Sequence, residues 1–210
     1  MESQENGPLV LGDGFGFFPH GVIDQHFDRK ARLGRLIVAV SAADAQQAFG
    51  YGIDEDTAFV YDASRDKATV IGAGTVVAVD AAKATFNEVG LQGVRISVLG
   101  PGDVLEFPAR KVSVNPKKSL ITKEYLTLEQ THLSSLFSPY SGRLEEAMGF
   151  LLTDNANENA LETRVPTISG GERIIRFEQT GDTRGYWGYL DGQLDSYTVL
   201  NVSLSITPYR

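Results

Sequence analysis

The stretch His26–Tyr51, HFDRKARLGRLIVAVSAADAQQAFGY, decides the reading of the first half of this chain. Phe27, Ala31, Leu36 and Ala39 recur at helical spacing, with Arg29, Arg32 and Arg35 between them, so a helix is expected over His26–Val40. Gln46–Tyr51 then runs into Gly50 and Gly52, which suits a helix stop and a chain entering a strand. Upstream, Leu9–Phe18 (LVLGDGFGFF) is apolar and glycine-rich, a short buried strand or a tight loop. Downstream, Thr57–Tyr61, Ala68–Ile71, Thr75–Val79 and Gly93–Leu99 are β-rich runs separated by Asp, Ser, Lys and Gly clusters. This alternation is that of an α/β protein.

The second half changes character. Lys111–Ser119 (KVSVNPKKS), with its proline and lysines, is the best candidate boundary, dividing the chain into residues 1–110 and 111–210. Leu126–Phe137 and Gly142–Leu152 have helical patterning, Asp154–Ala160 is polar and loop-like, and Gly171–Tyr209 reads as antiparallel hairpins turning at Gly181-Asp182 and Asp191-Gly192. In Tyr197–Ile206 the residues Thr198, Leu200, Val202, Leu204 and Ile206 fall on one strand face.

Composition bounds the function. The 210 residues are 42% hydrophobic and 22% charged, the make-up of a globular chain with a real core. No apolar run approaches the length that spans a bilayer as a helix. Zero cysteines exclude thiolate metal sites and cysteine nucleophiles. A formal charge of −8 repels a nucleic-acid backbone, so no nucleic-acid partner is expected. Met1–Pro8 is polar, without a basic or apolar leader region. With the missing cysteines, this favours a cytoplasmic location, an exported form being left open by any true N-terminus lying upstream.

The densest chemistry is Asp24-Gln25-His26-Phe27, one of three histidine positions with His20 and His132. A lone histidine is more often structural than catalytic. What favours chemistry is Gly52-Ile53-Asp54-Glu55-Asp56-Thr57-Ala58, where three adjacent carboxylates beside an apolar strand are costly unless one has a cationic or imidazole partner. A carboxylate that fixes an imidazole tautomer is the third member of a nucleophile–base–orienter triad. Arg29, Lys30, Arg32 and Arg35 follow in an otherwise acidic chain. They read either as a solvated basic helix or as a clamp whose guanidinium forks grip a carboxylate.

At these residues the sequence resembles a family. The runs Gly14-Phe15-Gly16-Phe17-Phe18-Pro19, Val22–Phe27, Arg32–Leu36, Gly52–Ala58 and Val70-Ile71-Gly72-Ala73-Gly74-Thr75-Val76 are similar to cyanophycinase, which belongs with peptidase E among the serine peptidases. The resemblance covers roughly residues 12–100. It implies a class I amidotransferase-like three-layer sandwich, a mostly parallel sheet between helices and here partial, with an α+β C-terminal extension of antiparallel hairpins. It implies hydrolysis of β-aspartyl-arginine linkages in cyanophycin or related β-aspartyl peptides. By motif, His26 becomes the general base and Glu55 the acid that orients it, while Asp24, Gln25, Lys30, Arg32 and Arg35 line the substrate pocket. Lys30 stands where the family typically has arginine. No metal or organic cofactor is implied.

One element departs. The family's serine sits in a Gly-x-Ser-x-Gly elbow, which this sequence does not contain: Ser41 lies in AVSAAD, Ser141 in PYSGR and Ser169 in TISGG. The expectation is a C-terminal portion of a cyanophycinase-like protein whose nucleophile lies outside this chain, with the missing N-terminal half or a homodimer mate as candidate protein partners. The competing readings are a non-catalytic remnant that binds a carboxylate ligand or a protein, and a metal hydrolase using His20 and His26, disfavoured because the ligands lack the spacing of known sites.

Overall fold

A computed structural model describes residues 14–41, 48–122, 127, 144–167, 171–192 and 194–209. The chain begins with strand β1 (Val22–Gln25), helix α1 (Leu33–Ser41) and β2 (Phe49–Ile53). Then follow β3 (Thr57–Asp62), β4 (Lys67–Gly72), β5 (Val76–Asp80), β6 (Thr85–Asn87), β7 (Gly90–Leu99), β8 (Val104–Glu106), β9 (Lys111–Ser113) and β10 (Ser119–Leu120). Helix α2 (Leu144–Glu146) runs directly into a π-helical turn, Ala147–Thr153, and β11 (Ala160–Pro166), β12 (Glu172–Glu178), β13 (Arg184–Leu190) and β14 (Leu194–Pro208) finish the fold. This is a sheet-rich α/β architecture with few helices. The larger sheet is mixed, in the order β1-β2-β5-β7-β14-β12-β11, with β6 on β7 and β10 and β13 attached through β14; β3-β4-β8-β9 form a smaller sheet.

The resemblance implied a mostly parallel sheet between helices. Among the described residues only β1 and β2 pair in parallel, joined through α1; the other ladders are antiparallel. The reason is connection length. A parallel pair needs a crossover, which α1 provides, whereas the links from β3 to β4 and from β6 to β7 are short turns that can only reverse the chain.

Two cores lie on the two faces of the large sheet. On one, Leu36, Ile37 and Val40 of α1 and Met148 and Leu152 of the π-helical turn pack on Val77, Val79, Ile96, Val98, Val199 and Leu204. On the other, Tyr51, Val76 and Leu99 meet Ala68, Val70 and Leu105 of the small sheet and Phe107, with Phe18 against them. The layer on that second face is thus a sheet. β7 and β14 come from opposite sides of the composition boundary at residue 110, and they pair with each other at the middle of the large sheet. Behind them Lys118 and Asp103, whose side chains are wholly buried, approach to 3.5 Å. Thr198 Oγ1 donates to Asp103 and accepts from Lys118 Nζ at 2.7 Å.

Several sequence expectations need correction. The helix starts at Leu33 and not at His26, because His26 (φ 51°) and Ala31 (φ 54°) are left-handed and no α-helix passes through such residues. The helix expected over Gly142–Leu152 forms within its described residues, 144–152, as α2 and then, from Ala147, as a π-helical turn, the Asp154 N–H reaching back five residues to the Gly149 carbonyl at 2.9 Å. The single face assigned to Thr198–Ile206 splits at Asn201 (φ 62°), where the ladder to β7 shifts register. Val199, Val202 and Leu204 serve the helical core, whereas Leu200 serves the other. A bulge of this kind inserts an unpaired residue and flips the alternation. No strand forms at residues 14–18, and Leu126–Phe137, apart from Thr127, lies outside the described residues. The turns at Gly181-Asp182 and Asp191-Gly192 form where the sequence places them. Among the described residues no helix is long and apolar enough to cross a membrane.

Gly52 is required by packing. A Cβ there would stand 2.2 Å from the ring of Phe27, which is fully buried over the β2 backbone. Gly52→Ala is therefore expected to lower stability by about 1–3 kcal/mol, the usual range for overpacking. Thermal or denaturant unfolding checks this.

Candidate active site at the β1 and β2 ends

β1 and β2 run side by side with Asp24 opposite Gly52 and Gln25 opposite Ile53. Two left-handed residues then bend both chains towards each other. His26 breaks β1, while Asp56 (φ 53°) turns the chain from β2 into β3. Histidine and aspartate are among the residues that enter this region most readily. The second turn is braced from below. Asp56 O accepts from Ala73 N at 2.9 Å, Thr57 Oγ1 donates to Glu55 O at 2.9 Å and accepts from Gly74 N at 3.0 Å. Gly72 (φ 122°) is held here by geometry, since a Cβ would lie 2.1 Å from Asp56 O. The glycine-rich Val70–Val76 motif thus supports the Glu55 turn.

His26 and Glu55, 29 residues apart, meet at the open end of the two strands: Nδ1 lies 3.0 Å from Oε1. An ionised carboxylate only accepts, so the proton sits on Nδ1 and Nε2 is left as the basic atom. The imidazole is 51% exposed and Glu55 27%, so the ring is reachable from solvent while the carboxylate is partly sheltered. Glu55 has a second partner: Arg29 Nη1 stands 2.9 Å from Oε2. The Arg29 backbone N–H donates to Asp54 Oδ1 at 3.3 Å. The three adjacent carboxylates are thereby accounted for in part, since Asp54 and Glu55 face the His26–Arg29 turn. The sequence places Arg29 only among the cations of the candidate clamp, not against Glu55, and gives Asp54 no site role of its own. The signal was present in the costly acidic run, but not which cation answered it.

Behind this pair, Asp24 is buried and holds arginines from the start of α1. Arg35 Nε donates to Asp24 Oδ2 at 2.9 Å and its Nη2 to Oδ1, a bidentate fork. Buried Arg32 lies 3.8 Å from Asp24 Oδ1 and donates to the carbonyl of Gln25. The forks expected to grip a substrate carboxylate are thus turned, at least for Arg35, on a carboxylate of the chain itself. The Gln25 side chain is exposed and Lys30 is half-buried in the turn before α1. Asp28 reaches elsewhere, its Oδ2 accepting from Leu144 N at 2.7 Å and tying the His26 turn to α2.

His20 lies apart from this site. Its ring stacks on Phe107 at 4.0 Å and its Nε2 is 2.6 Å from Asp66, whose carboxyl is lowered chiefly by the Tyr61 hydroxyl. That is a satisfied histidine in an aromatic cluster. His132, Ser141 and Ser169 fall outside the described residues, and Ser41 ends α1. Among the described residues no group of three or more His, Asp or Glu side chains is placed to hold a metal ion.

A separate cleft of about 350 Å³ is lined by Glu145, Glu146, Phe150, Asp195 and Tyr197. Desolvation raises the carboxyl of Glu145 above the usual range, against the Tyr197 N–H it accepts from and the nearby Lys118 charge, which lower it. A raised folded-state value stabilises the fold at low pH and loses that advantage as pH rises through it. Glu145→Gln is therefore expected to be neutral or stabilising at neutral pH, with the difference shrinking on acidification. Unfolding curves across pH test the sign.

No family model matches the chain. Curated relatives do. It is 33% identical to the cyanophycinase of Geminocystis herdmanii over 111 residues, 49% of this chain and 40% of that protein. It is 38% identical to the cyanophycinase of Trichormus variabilis over 121 residues, 53% and 39% of the two chains. It is 33% identical to that of Synechococcus elongatus over 120 residues, 53% and 36%. The chain is cyanophycinase-like over about half its length, and the match spans about two fifths of the length of these relatives.

Removing the Asp24 carboxylate would take the fork partner from Arg35 and the anion 3.8 Å away from Arg32, whose side chain is only 6% exposed. Asp24→Ala is expected to cost about 3–5 kcal/mol, the range for breaking a buried ion pair from one side. Chemical denaturation measures it.

Proposed function

We propose that this chain carries the base and orienter of a serine-type exopeptidase centre. The centre hydrolyses β-aspartyl-arginine linkages of cyanophycin or related β-aspartyl peptides, and the serine belongs to a polypeptide segment outside this sequence. The observation that supports it most directly is the 3.0 Å approach of His26 Nδ1 to Glu55. It leaves Nε2 basic and exposed where a hydroxyl from another segment can reach it. The similarity to cyanophycinases supplies the substrate class.

In this reading His26 Nε2 takes the serine proton as the oxygen attacks the scissile carbonyl. Glu55 stabilises the imidazolium that forms, and the same proton then passes to the leaving amine. Gln25 and Lys30 are the nearest candidates for polar contact with substrate. Asp24, Arg32 and Arg35 act mainly by building the platform, because a substrate carboxylate reaches the Arg35 fork only by sharing it with Asp24. The reading as a mere carboxylate-binding remnant is weakened by that occupied fork.

The fold belongs to the same proposal. β1, α1 and β2 form one parallel strand–helix–strand unit, the repeating part of a class I amidotransferase-like sandwich. Residues 1–110 are read as the peptidase region and residues 111–210 as an extension of separate role. No cofactor takes part, and the site is read as working in the cytoplasm.

The test is complementation. The chain by itself is expected to release no β-aspartyl-arginine. With a segment bearing a Gly-x-Ser-x-Gly elbow from a cyanophycinase, in cis or in trans, activity should appear. His26→Ala or Glu55→Ala should then remove it by about three orders of magnitude or more. Hydrolysis that survives His26→Ala overturns the mechanism.

A further inference from the structure

We infer that Arg29 is a positioning residue of this site, locking the Glu55 carboxylate in the plane that holds His26 in its Nδ1–H form. The inference rests on the reading of His26 as base. A carboxylate bonded at one oxygen is free to rotate and to offer either lone pair to the ring. Glu55 is engaged at both: Oε1 lies 3.0 Å from His26 Nδ1, and Oε2 makes an ion pair with Arg29 Nη1 at 2.9 Å. The arginine is fixed at its root as well, through its backbone N–H on Asp54 Oδ1 at 3.3 Å. The His26–Arg29 turn and the Asp54–Glu55 turn are therefore joined at three points, with the imidazole at one end and the guanidinium at the other.

The geometry also argues against a role in stability. Arg29 is 53% exposed, and exposed ion pairs hold folds together weakly. What a half-exposed guanidinium supplies is direction, since its planar donors fix a carboxylate's orientation in a way a lysine's point charge does not. Arg29 does not touch a substrate in this arrangement; it acts through Glu55 on His26.

The readout is the ring itself. In protein labelled with 15N at histidine, His26 assigned by its loss in His26→Gln should show well-separated Nδ1 and Nε2 shifts, the mark of one fixed tautomer. Arg29→Ala should draw the two shifts towards a common average, and Arg29→Lys should fall between. The thermal midpoint should not move. In the complemented enzyme Arg29→Ala should lower kcat, by up to about 100-fold, with KM unchanged, the pattern of a misaimed base. Unchanged shifts in Arg29→Ala, with Glu55→Gln shifting them, would overturn the role of Arg29 and leave the dyad intact. Unchanged shifts in Glu55→Gln as well would overturn the dyad itself. A fall in thermal midpoint without a change in the ring would assign Arg29 to the fold alone.

Discussion

The pairing of β7 with β14 is the constraint on which the rest of this structure depends. Val94, Ile96, Val98 and Leu99 of β7 are all fully buried, and so are Val199, Val202 and Leu204 of β14. One ladder therefore brings together the helical core, the smaller sheet and the C-terminal strands. A ladder between residues about a hundred positions apart is costly to close, and burial of β-branched side chains on its helical face and of Leu99 on the other is what offsets that cost. The Asp103–Thr198–Lys118 cluster lies at the same seam. It is fully buried, so its polar atoms must find one another; its contribution is to fix how the strands meet.

The candidate site stands at the margin of that frame, and its parts follow a division of labour. Buried groups set the platform: Phe27 over Gly52, Asp24 against Arg35 and Arg32. Half-exposed groups carry the reactive arrangement: His26, Glu55 and Arg29. The left-handed conformations of His26 and Asp56 connect the two, because His26 ends β1 and Asp56 leads the chain into β3, each with a bend that no extended residue could supply. Strain of this order persists only where surrounding bonds over-determine it, and at Asp56 the Ala73, Thr57 and Gly74 contacts do so.

Much of this was legible in the sequence, for reasons that can be named. The costly run Asp54-Glu55-Asp56 signalled a partner, and the ordered motifs singled out His26. Short β-rich runs marked β3, β4, β5 and β7 because alternation and turn residues are local signals. What was not legible was non-local. The helical spacing of Phe27 and Ala31 was real, but tertiary packing of Phe27 on Gly52 took that ring, and the chain turned left-handed on either side of it. The direction of the Arg35 fork could not be read either, since its spacing from Arg32 describes a helix face and not what lies across from it. The strand pairing of β14 with β7 leaves no mark in either segment alone.

The bulge at Asn201 makes β14 a wall shared by two rooms. Before it, Leu200 belongs to the compartment behind the small sheet; after it, Val202 and Leu204 belong to the one beneath the helices. A single inserted or deleted residue near this point would swap the occupants of both rooms at once. Sequence drift along β14 is therefore bounded by length before it is bounded by chemistry: side chains there can exchange for others of like volume, but the count of residues between Val199 and Val202 is held fixed by the two cores that β14 serves.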